Sequence, residues 1–351
     1  MLTLGAAAFG AFISVPGALV GGLVLGLVGQ LVSAETSSAT TAELWVFGVI
    51  LLTVFVRGKA IAQVFDLSGA AVEELPITRV AASLRDKALV RYQPVWLLAL
   101  AGVALAVWPQ LPYFDTSARQ FSLSLVVIYA LLGVSLTMLL GWGGQVSLGN
   151  FALVGLGAYL TARWAADWTL LSLLVGVGVI GALVMVLVGL PALRIRGLTL
   201  AVTTLGLAVI SHDWLYHQSW IAENPFSTVV ESPDLGAGLG SPDSQVAVYY
   251  IGLVVLGVAV LMCAALRRSS PGRLFLAVRD NERASAAFGV SPASVKLAVL
   301  AVSGFFSAVG GVLWAFAWKS VSVTQFTPDV SIAILAIPVI GGLGSISGAV
   351  T

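Results

Sequence analysis

The chain carries few residues of the kinds that catalyse reactions. It contains neither the phosphate-binding pattern GxxxxGK[ST] nor the nucleophile pattern GxSxG. Its two histidines, His212 and His217, lie near Asp213, which offers too few ligands in too poor a register for a metal ion. Its one cysteine, Cys263, lies in an apolar run and is interpreted as a small buried hydrophobe. We therefore predict that the chain is not an enzyme and has no cofactor and no metal site.

The decapeptide GWGGQVSLGN, residues 141–150, is the polar segment most suited to binding a solute. It separates two strongly apolar runs and has no charged residue. Gln145, Ser147 and Asn150 offer hydrogen bonds without a fixed charge that would trap a polar solute. Broken helices in transporters line the permeation path in this way. A tight turn between helices, with close glycine packing, explains the same residues equally well.

A second polar group lies in RIRGLTLAVTTLGLAVI, residues 194–210, where Thr199, Thr203 and Thr204 share one side of a predicted helix. Thr203 and Thr204 are candidates for the same path. Threonines in membrane helices more often bond the backbone of their own helix, and that interpretation stays open.

Residues 269–296 predict an amphipathic helix that lies along a membrane surface. Ser270 is its expected N-cap, Pro271 its first helical residue and Gly289 its C-terminal glycine. An apolar stripe opposes a polar face, the stripe being Leu274, Ala277, Val278, Ala284, Ala287 and Phe288 and the polar face Arg279, Asp280, Glu282 and Arg283. The helix either docks into the groove of a partner or is an ordinary loop helix.

The composition decides the class of protein to which these segments belong. Hydrophobic residues make up 59% of the 351 residues and charged residues only 9%, whereas soluble domains have roughly 25% charged residues. The chain is therefore not a soluble globular protein. A net charge of +1 gives no reason to expect a nucleic-acid partner.

Apolar runs long enough to approach a bilayer's width indicate helices, because lipid cannot satisfy isolated backbone groups. We predict an all-α polytopic membrane protein with roughly nine transmembrane helices, plus re-entrant or broken segments at 2–13 and 331–340. The runs are 17–34, 44–56, 95–111, 121–140, 151–167, 169–193, 198–216, 246–267 and 294–318.

The basic residues predict the orientation of these helices. If the charged segment 57–94 is cytoplasmic, strict alternation also places 141–150, 194–197 and 267–296 inside. Of the 17 lysines and arginines, only Arg119, Arg163 and Lys319 then fall outside. The outer loops become 109–120, 217–245 and 319–330.

The chain divides into three parts. A charged linker, 58–94, separates residues 1–57 from residues 95–351. GAFISVPGALVGG, residues 10–22, is similar to GGLGSISGAVT, residues 341–351, so the two flanking parts repeat a loop. We expect the end of one permease-like unit, a linker, and most of a second unit that lacks its last helices.

Four stretches together resemble one family, the permease subunits of branched-chain amino acid ABC importers. GWGGQVSLGNFALVGLGAYLTA, RIRGLTLAVTTLGLA, GRLFLAVRDNERASAAFGVSPASVK and GGLGSISGAV are similar, in this order, to segments of the LivM-type subunit. The resemblance covers about 115–351. Residues 1–57 resemble the end of a LivH-type subunit, so the chain resembles a fragment of a fusion of the two. Asn150 stands where the family often has histidine.

The resemblance implies an ABC importer permease architecture with no ATPase site of its own. It places a coupling helix against the ATPase, containing Arg279, Asp280, Asn281, Glu282, Ala284 and Gly289. The implied function is import of branched-chain amino acids across the bacterial inner membrane by alternating access. The implied partners are ABC ATPase subunits, an extracytoplasmic substrate-binding protein, the remaining permease half and the lipid bilayer, but no nucleic acid.

Besides the expectation that a chain without its first permease half and its last helices does not transport alone, two alternatives stay open. The first is a related permease for urea, short amides or small sugars, since an uncharged path suits them too. The second is a channel or secondary transporter that needs no ATPase, for which ionisable residues deep in the helices are expected.

Overall fold

The computed structural model describes residues 109, 116–192, 199–222, 224, 226–231, 244–335, 337 and 338. Several predictions lie outside these residues. They are the first unit 1–57 with its apolar runs, the linker 58–94, nearly all of the run 95–111, and the repeated loop 341–351.

The described part is built from nine α-helices and two very short strands. The helices are α1 (Ser117–Thr137), α2 (Asn150–Trp164), α3 (Leu170–Ala192), α4 (Thr199–Asp213), α5 (Gln245–Arg268), α6 (Ser270–Asp280), α7 (Glu282–Ala287), α8 (Pro292–Trp318) and α9 (Pro328–Ile334). A π-helical turn, Met138–Trp142, extends α1, and 3₁₀ turns lie at Leu215–His217 and Val323–Gln325. The strands are β1 (Thr228–Val229) and β2 (Ser320–Val321).

Four of the described helices are long and apolar enough to cross a membrane. They are Ser117–Trp142, Leu170–Pro191, Gln245–Arg268 and Pro292–Trp318. Helices α2 and α4 have 15 residues each, or about 22 Å at 1.5 Å per residue. They are shorter than the predicted runs 151–167 and 198–216, because polar or irregular backbone replaces helix at their ends.

Helix α8 lies at the centre and packs directly against α2 and α3. A Cβ atom at Gly157 of α2 would clash with the backbone carbonyl of Ala308 on α8. A Cβ atom at Gly304 of α8 would lie 2.7 Å from the carbonyl oxygen of Gly181 on α3. The backbones therefore touch, as small residues allow in membrane helix bundles, where van der Waals contact drives association.

The outward faces of α3 and α5 are apolar and uncovered. On α3 the exposed residues recur every fourth position from Leu171 to Leu187, and on α5 they include Val254, Val258 and Leu261. Such continuous exposed apolar faces are abnormal for a soluble domain. They are what lipid or a neighbouring membrane helix covers.

The loops at one end of the bundle are joined by a short strand pair. Thr228 of β1 pairs antiparallel with Val321 of β2. Beside them the buried Tyr216 stacks on Tyr159 with ring centroids 4.8 Å apart and donates a hydrogen bond to the carbonyl of Ala152, 2.6 Å away. Residues 228–230 and 319–321, from two loops that were predicted on one side, thus lie together.

The predicted single helix over residues 270–289 is two helices, α6 and α7. Asn281 between them is extended, with φ −152° and ψ 99°, and its side chain accepts a hydrogen bond from the Ala284 amide. An asparagine side chain that bonds nearby backbone competes with helix continuation. The N-cap of α6 is Ser269 rather than Ser270.

The apolar stripe predicted for this helix is wrong at five of its six positions, and only Val278 is buried as predicted. Leu274 is 38% exposed and Phe288 is 87% exposed, whereas the buried residues of α6 are Gly272, Phe275 and Val278. The break at Asn281 changes the direction of the chain, so one helical stripe cannot run through both halves. Gly289 ends the segment with φ +81°, as predicted for a C-terminal glycine.

Candidate functional site

The chain leaves the helical path at residues 141–149, which we call the glycine segment. After the π-helical turn at the end of α1, Gly144 adopts φ +61°, a left-handed conformation that glycine reaches without strain. The backbone N–H of Gln145 then donates to the Leu139 carbonyl, 3.1 Å away. The segment stays irregular until Asn150 begins α2. The glycines therefore produce a real interruption between α1 and α2, as their spacing predicted.

Helix α4 holds the glycine segment from one side. The Leu148 amide donates to Thr204 Oγ1 at 2.9 Å, and that hydroxyl donates to the Leu200 carbonyl at 2.8 Å. A Cβ atom at Gly149 would lie 2.5 Å from the Thr204 carbonyl oxygen. The segment and α4 thus meet backbone to backbone.

The two candidate path threonines are both fully buried and bonded within the protein. Thr203 Oγ1 donates to the Leu200 carbonyl at 3.0 Å, as threonines in membrane helices commonly do. Thr204 Oγ1 additionally accepts a hydrogen bond from the Leu148 backbone N–H of the glycine segment. The side chain of the third threonine, Thr199, lies outside the described residues.

Gln145 is the unusual polar side chain of the segment. It is 7% exposed, and neither its amide nitrogen nor its amide oxygen has a hydrogen-bond partner among the described residues. Buried polar groups are nearly always paired, because leaving one unpaired costs about 1–3 kcal/mol. Ser147, also buried, is satisfied locally by accepting from the Gly149 amide at 3.3 Å. Burial of the Gln145 side-chain amide therefore costs folding free energy, and no contact among the described residues compensates for it.

Asn150 lies at the centre of a polar cluster between three helices. Its amide nitrogen is 2.8 Å from Ser303 Oγ, 3.1 Å from Ser307 Oγ and 3.4 Å from Ser135 Oγ. Its side-chain oxygen has no partner among the described residues. Asn150 therefore joins α1, α2 and α8, and one acceptor remains open. The three serines were not among the predicted site residues, and the sequence indicates them only by the spacing of four between Ser303 and Ser307.

Residues 270–289, which contain α6 and α7 and which we call the α6–α7 loop, hold the glycine segment from the other side. Arg279 Nη1 donates to the Gly141 carbonyl at 2.5 Å, and the Arg279 guanidinium also contacts Asp280 Oδ1 at 2.9 Å. Glu282 accepts from Lys296 Nζ of α8 at 2.9 Å. Arg279 and Glu282, predicted on the polar face, are thus partly buried and engaged with the helix bundle.

Other residues of the same loop face outward. Asp280, Asn281, Ala284, Gly289 and Phe288 are all exposed, and Phe288 is the most exposed large hydrophobic residue described. The six residues predicted in the coupling helix therefore divide into two groups. Arg279 and Glu282 bind the bundle, whereas the other four are available to a partner.

No group of three or more potential metal ligands occurs in the described part of the chain. His212 Nδ1 lies 2.6 Å from Asp213 Oδ1, an isolated pair near the end of α4. A cavity of about 350 Å³ between α2, α3 and α4 is lined mainly by apolar side chains, with Arg163 and Ser211 as polar groups. It contains none of the predicted path residues.

A broken helix, a polar interior and an exposed surface helix thus occur together in the described part of the chain. Residues 119–351 match the family described as "Branched-chain amino acid transport system / permease component". The chain belongs to this family. The match begins close to residue 115, where the resemblance of the quoted segments begins, and it confirms a polytopic membrane protein of the permease type.

Individual relatives of this permease chain agree with the family. The chain is 29% identical over 281 residues to the "High-affinity branched-chain amino acid transport system permease protein LivM" of Salmonella typhimurium and equally to that of Escherichia coli. Each alignment covers 72% of this chain and 64% of the relative. The chain thus spans somewhat less than two thirds of the length of these curated relatives.

A third relative differs in its named substrate. The chain is 28% identical over 262 residues to the "Autoinducer 2 import system permease protein LsrC" of an Enterobacter species, covering 72% of this chain and 71% of the relative. No solved structure matches the permease chain significantly.

Proposed function

We propose that the chain is the permease subunit of an ATP-binding-cassette importer that moves branched-chain amino acids across the bacterial inner membrane by alternating access. Membership of the permease family and similarity to the LivM relatives support this proposal. The proposed partners are ATPase subunits on the cytoplasmic side, an extracytoplasmic binding protein and a second permease half. The linker 58–94 and the loop 267–296 are the proposed cytoplasmic segments.

The observation that carries the proposal for a substrate path is the unpaired amide of Gln145. A primary amide offers both a donor and an acceptor. An amino acid zwitterion needs an acceptor for its ammonium group and a donor for its carboxylate. The 7% exposed Gln145 side chain, with both amide atoms free of partners in the described part, supplies the two functions at one point. Substrate passing the segment would satisfy a group that the protein leaves unsatisfied.

Asn150 is the second proposed path residue. Its amide nitrogen is committed to the serine cluster, but its oxygen can still accept from an ammonium group. Ser147 and the two threonines have partners inside the protein, so we assign them to holding the backbone of the path. The glycine segment has no charged residue of its own, so its side chains offer a zwitterion hydrogen bonds rather than ion pairs.

We propose that the exposed residues of the α6–α7 loop dock the ATPase. Phe288 is 87% exposed and ends a helix whose exposed side also holds Asn281 and Ala284. Buried aromatic anchors dominate the energetics of protein interfaces, and small neighbours allow close approach. Phe288 is therefore the proposed anchor, and Asn281, Ala284 and Gly289 surround it.

The experiment that tests the function is ATP-dependent uptake by the assembled importer in proteoliposomes. Radiolabelled leucine, urea and a small sugar are offered separately. In Gln145→Met the side chain keeps its length but loses the amide. We expect leucine uptake to fall at least about tenfold, and the thermal midpoint to stay level or rise, because an unpaired polar group has been removed.

The matched control is Gln218→Met. Gln218 is bonded to the Trp214 carbonyl at the opposite end of the bundle, and uptake by this variant should remain close to that of the wild type. Normal leucine uptake by Gln145→Met would refute the path. Preferential uptake of urea or the sugar would refute the substrate, and uptake without ATP would favour a channel or secondary transporter.

A further inference from the structure

The last turn of α1 ends on a carbonyl that receives an arginine. The final carbonyls of a helix have no partner further along the chain, and the negative end of the helix dipole lies there. Gly141 lies in this last turn, and its oxygen accepts from Arg279 Nη1 at 2.5 Å. A cation from the α6–α7 loop therefore caps the helix from which the glycine segment begins.

Arg279 also packs along the glycine segment with its aliphatic stem. A Cβ atom at Gly144 would lie 2.9 Å from Arg279 Cγ, so only glycine leaves room for the arginine at that position. The guanidinium is oriented by Asp280, whose Oδ1 lies 2.9 Å from both Nε and Nη2. The Nε and Nη2 groups therefore bond to Asp280 on the same loop, and Nη1 bonds to Gly141 of the helix bundle. These bonds together fix the orientation of the guanidinium.

The rest of the loop is attached to different helices. Glu282 at the start of α7 is paired with Lys296 of α8 at 2.9 Å. The extended Asn281 separates this attachment from Arg279. The glycine segment, in turn, is bonded to α4 through Leu148 and Thr204. A displacement of α6 relative to α7 would therefore reach the segment directly through Arg279, which bonds to Gly141.

We propose that Arg279 is the positioning residue that transmits movement of the ATPase-docked loop to the glycine segment and so to Gln145. The inference rests on the proposed function. The guanidinium moves the Gly141 carbonyl with α6, while Glu282 and Lys296 keep α7 on α8. Four glycines at 141, 143, 144 and 149 give the segment backbone freedom to respond. Arg279 thus contacts neither ATPase nor substrate and couples the two.

The test uses the assembled importer in proteoliposomes, with Arg279→Gln, Arg279→Lys and the control Arg273→Gln. Arg273 is exposed on α6, and its guanidinium donates to Ser270 Oγ of the same helix at 3.2 Å. We expect Arg279→Gln to assemble with the ATPase and hydrolyse ATP, but to import roughly tenfold fewer molecules per ATP, within the range for residues that carry coupling. Arg279→Lys should be intermediate, because it keeps the charge but not the planar fork.

A second readout does not depend on transport. Ser147, 2% exposed, is changed to cysteine as a reporter in the glycine segment. The one native cysteine, Cys263, is buried. In the permease without ATPase, Arg279→Gln should raise the thiol-labelling rate roughly tenfold, because a charge-assisted hydrogen bond that holds the segment is lost.

Each outcome decides the proposal. Unchanged import per ATP, or an unchanged labelling rate, would overturn it. Loss of the ATPase from the Arg279→Gln complex would also overturn it, because Arg279 would then be a docking residue. If the wild type imports no amino acid, the proposed function fails separately, and the labelling rate still decides whether Arg279 controls the segment.

Discussion

The hydroxyl of Thr204 should control how often the glycine segment opens. It is the partner of the Leu148 amide, at 2.9 Å, and it is completely buried. Thr204→Val keeps the size and branching of the side chain and removes only the hydroxyl. The substitution therefore removes the acceptor of a part-buried backbone N–H group, that of Leu148.

The size of the effect follows from the cost of that unpaired group. Leaving a buried donor unsatisfied costs about 1–3 kcal/mol, which corresponds to about a 5- to 150-fold change in an equilibrium constant. The open segment can bond its amide to water, so the cost falls on the closed state alone. We expect the opening equilibrium constant to rise by this factor.

The assay is the rate of thiol labelling of Ser147→Cys in the purified permease. Ser147 is 2% exposed in the closed segment, so the reagent reaches it only after opening. When closing is faster than labelling, the rate is proportional to the opening equilibrium constant. Wild type and variant are compared at several reagent concentrations to establish this regime.

The control is Thr203→Val, a matched substitution at the neighbouring position. Thr203 and Thr204 both donate to the Leu200 carbonyl, at 3.0 and 2.8 Å, but only Thr204 accepts from the glycine segment. Thr203→Val should change the labelling rate by less than about twofold, because its bond to the Leu200 carbonyl lies within α4 and is the same whether the segment is closed or open. Equal rates for the two valine variants, or no rise for Thr204→Val, would refute the reasoning.

Two further predictions concern packing and docking. Gly149→Ala places a methyl group 2.5 Å from the Thr204 carbonyl oxygen and should destabilise the fold by about 1–3 kcal/mol through overpacking. Its control, Gly257→Ala, meets no atom within 4 Å and should leave the thermal midpoint unchanged or higher; equal midpoints for both variants would contradict the packing argument. Phe288→Glu should weaken co-purification of the ATPase by about 2 kcal/mol or more, the scale of an interface hot spot, whereas Phe288→Leu should lose less. Undiminished binding by Phe288→Glu would exclude it as the anchor.

The long helices could be predicted from the sequence because their apolar runs are bounded by polar residues. The runs 169–193, 246–267 and 294–318 correspond to Leu170–Ala192, Gln245–Arg268 and Pro292–Trp318. A membrane-crossing helix satisfies its own backbone, so composition alone places it within a few residues. The predicted run 151–167 likewise begins one residue after the start of α2 at Asn150, but it extends three residues beyond the end of α2 at Trp164.

The candidate site was only partly predictable. The glycines and amides of residues 141–150 indicated either a substrate path or a close turn, and the structure contains features of both. Gly149 packs against the Thr204 carbonyl as a turn residue would, whereas the Gln145 amide is buried without a partner in the described residues. The spacing of residues in the sequence cannot distinguish a substrate path from a close turn, because both the Gly149 contact and the burial of Gln145 depend on helices that are distant in the chain.

The α6–α7 loop shows the same limit. Helical periodicity placed Arg279 and Phe288 on opposite faces of one continuous helix. The Asn281 side chain ends that helix by capping the next one, so the periodicity does not continue past it. The bond between Arg279 and Gly141 joins residues far apart in the chain, and no local pattern indicates it.

The backbone contacts of α8 restrict how the bundle can change shape. Gly304, Ala308 and Gly311 present a small surface to α2 and α3. A shift of α8 by one residue would advance it by about 1.5 Å and rotate it by about 100°, which replaces these residues with neighbours such as Phe305 or Val309. A slide of α8 by one residue is therefore sterically unfavourable. We expect α2, α3 and α8 to stay packed together and conformational change in this permease to occur at the edges of this group of helices.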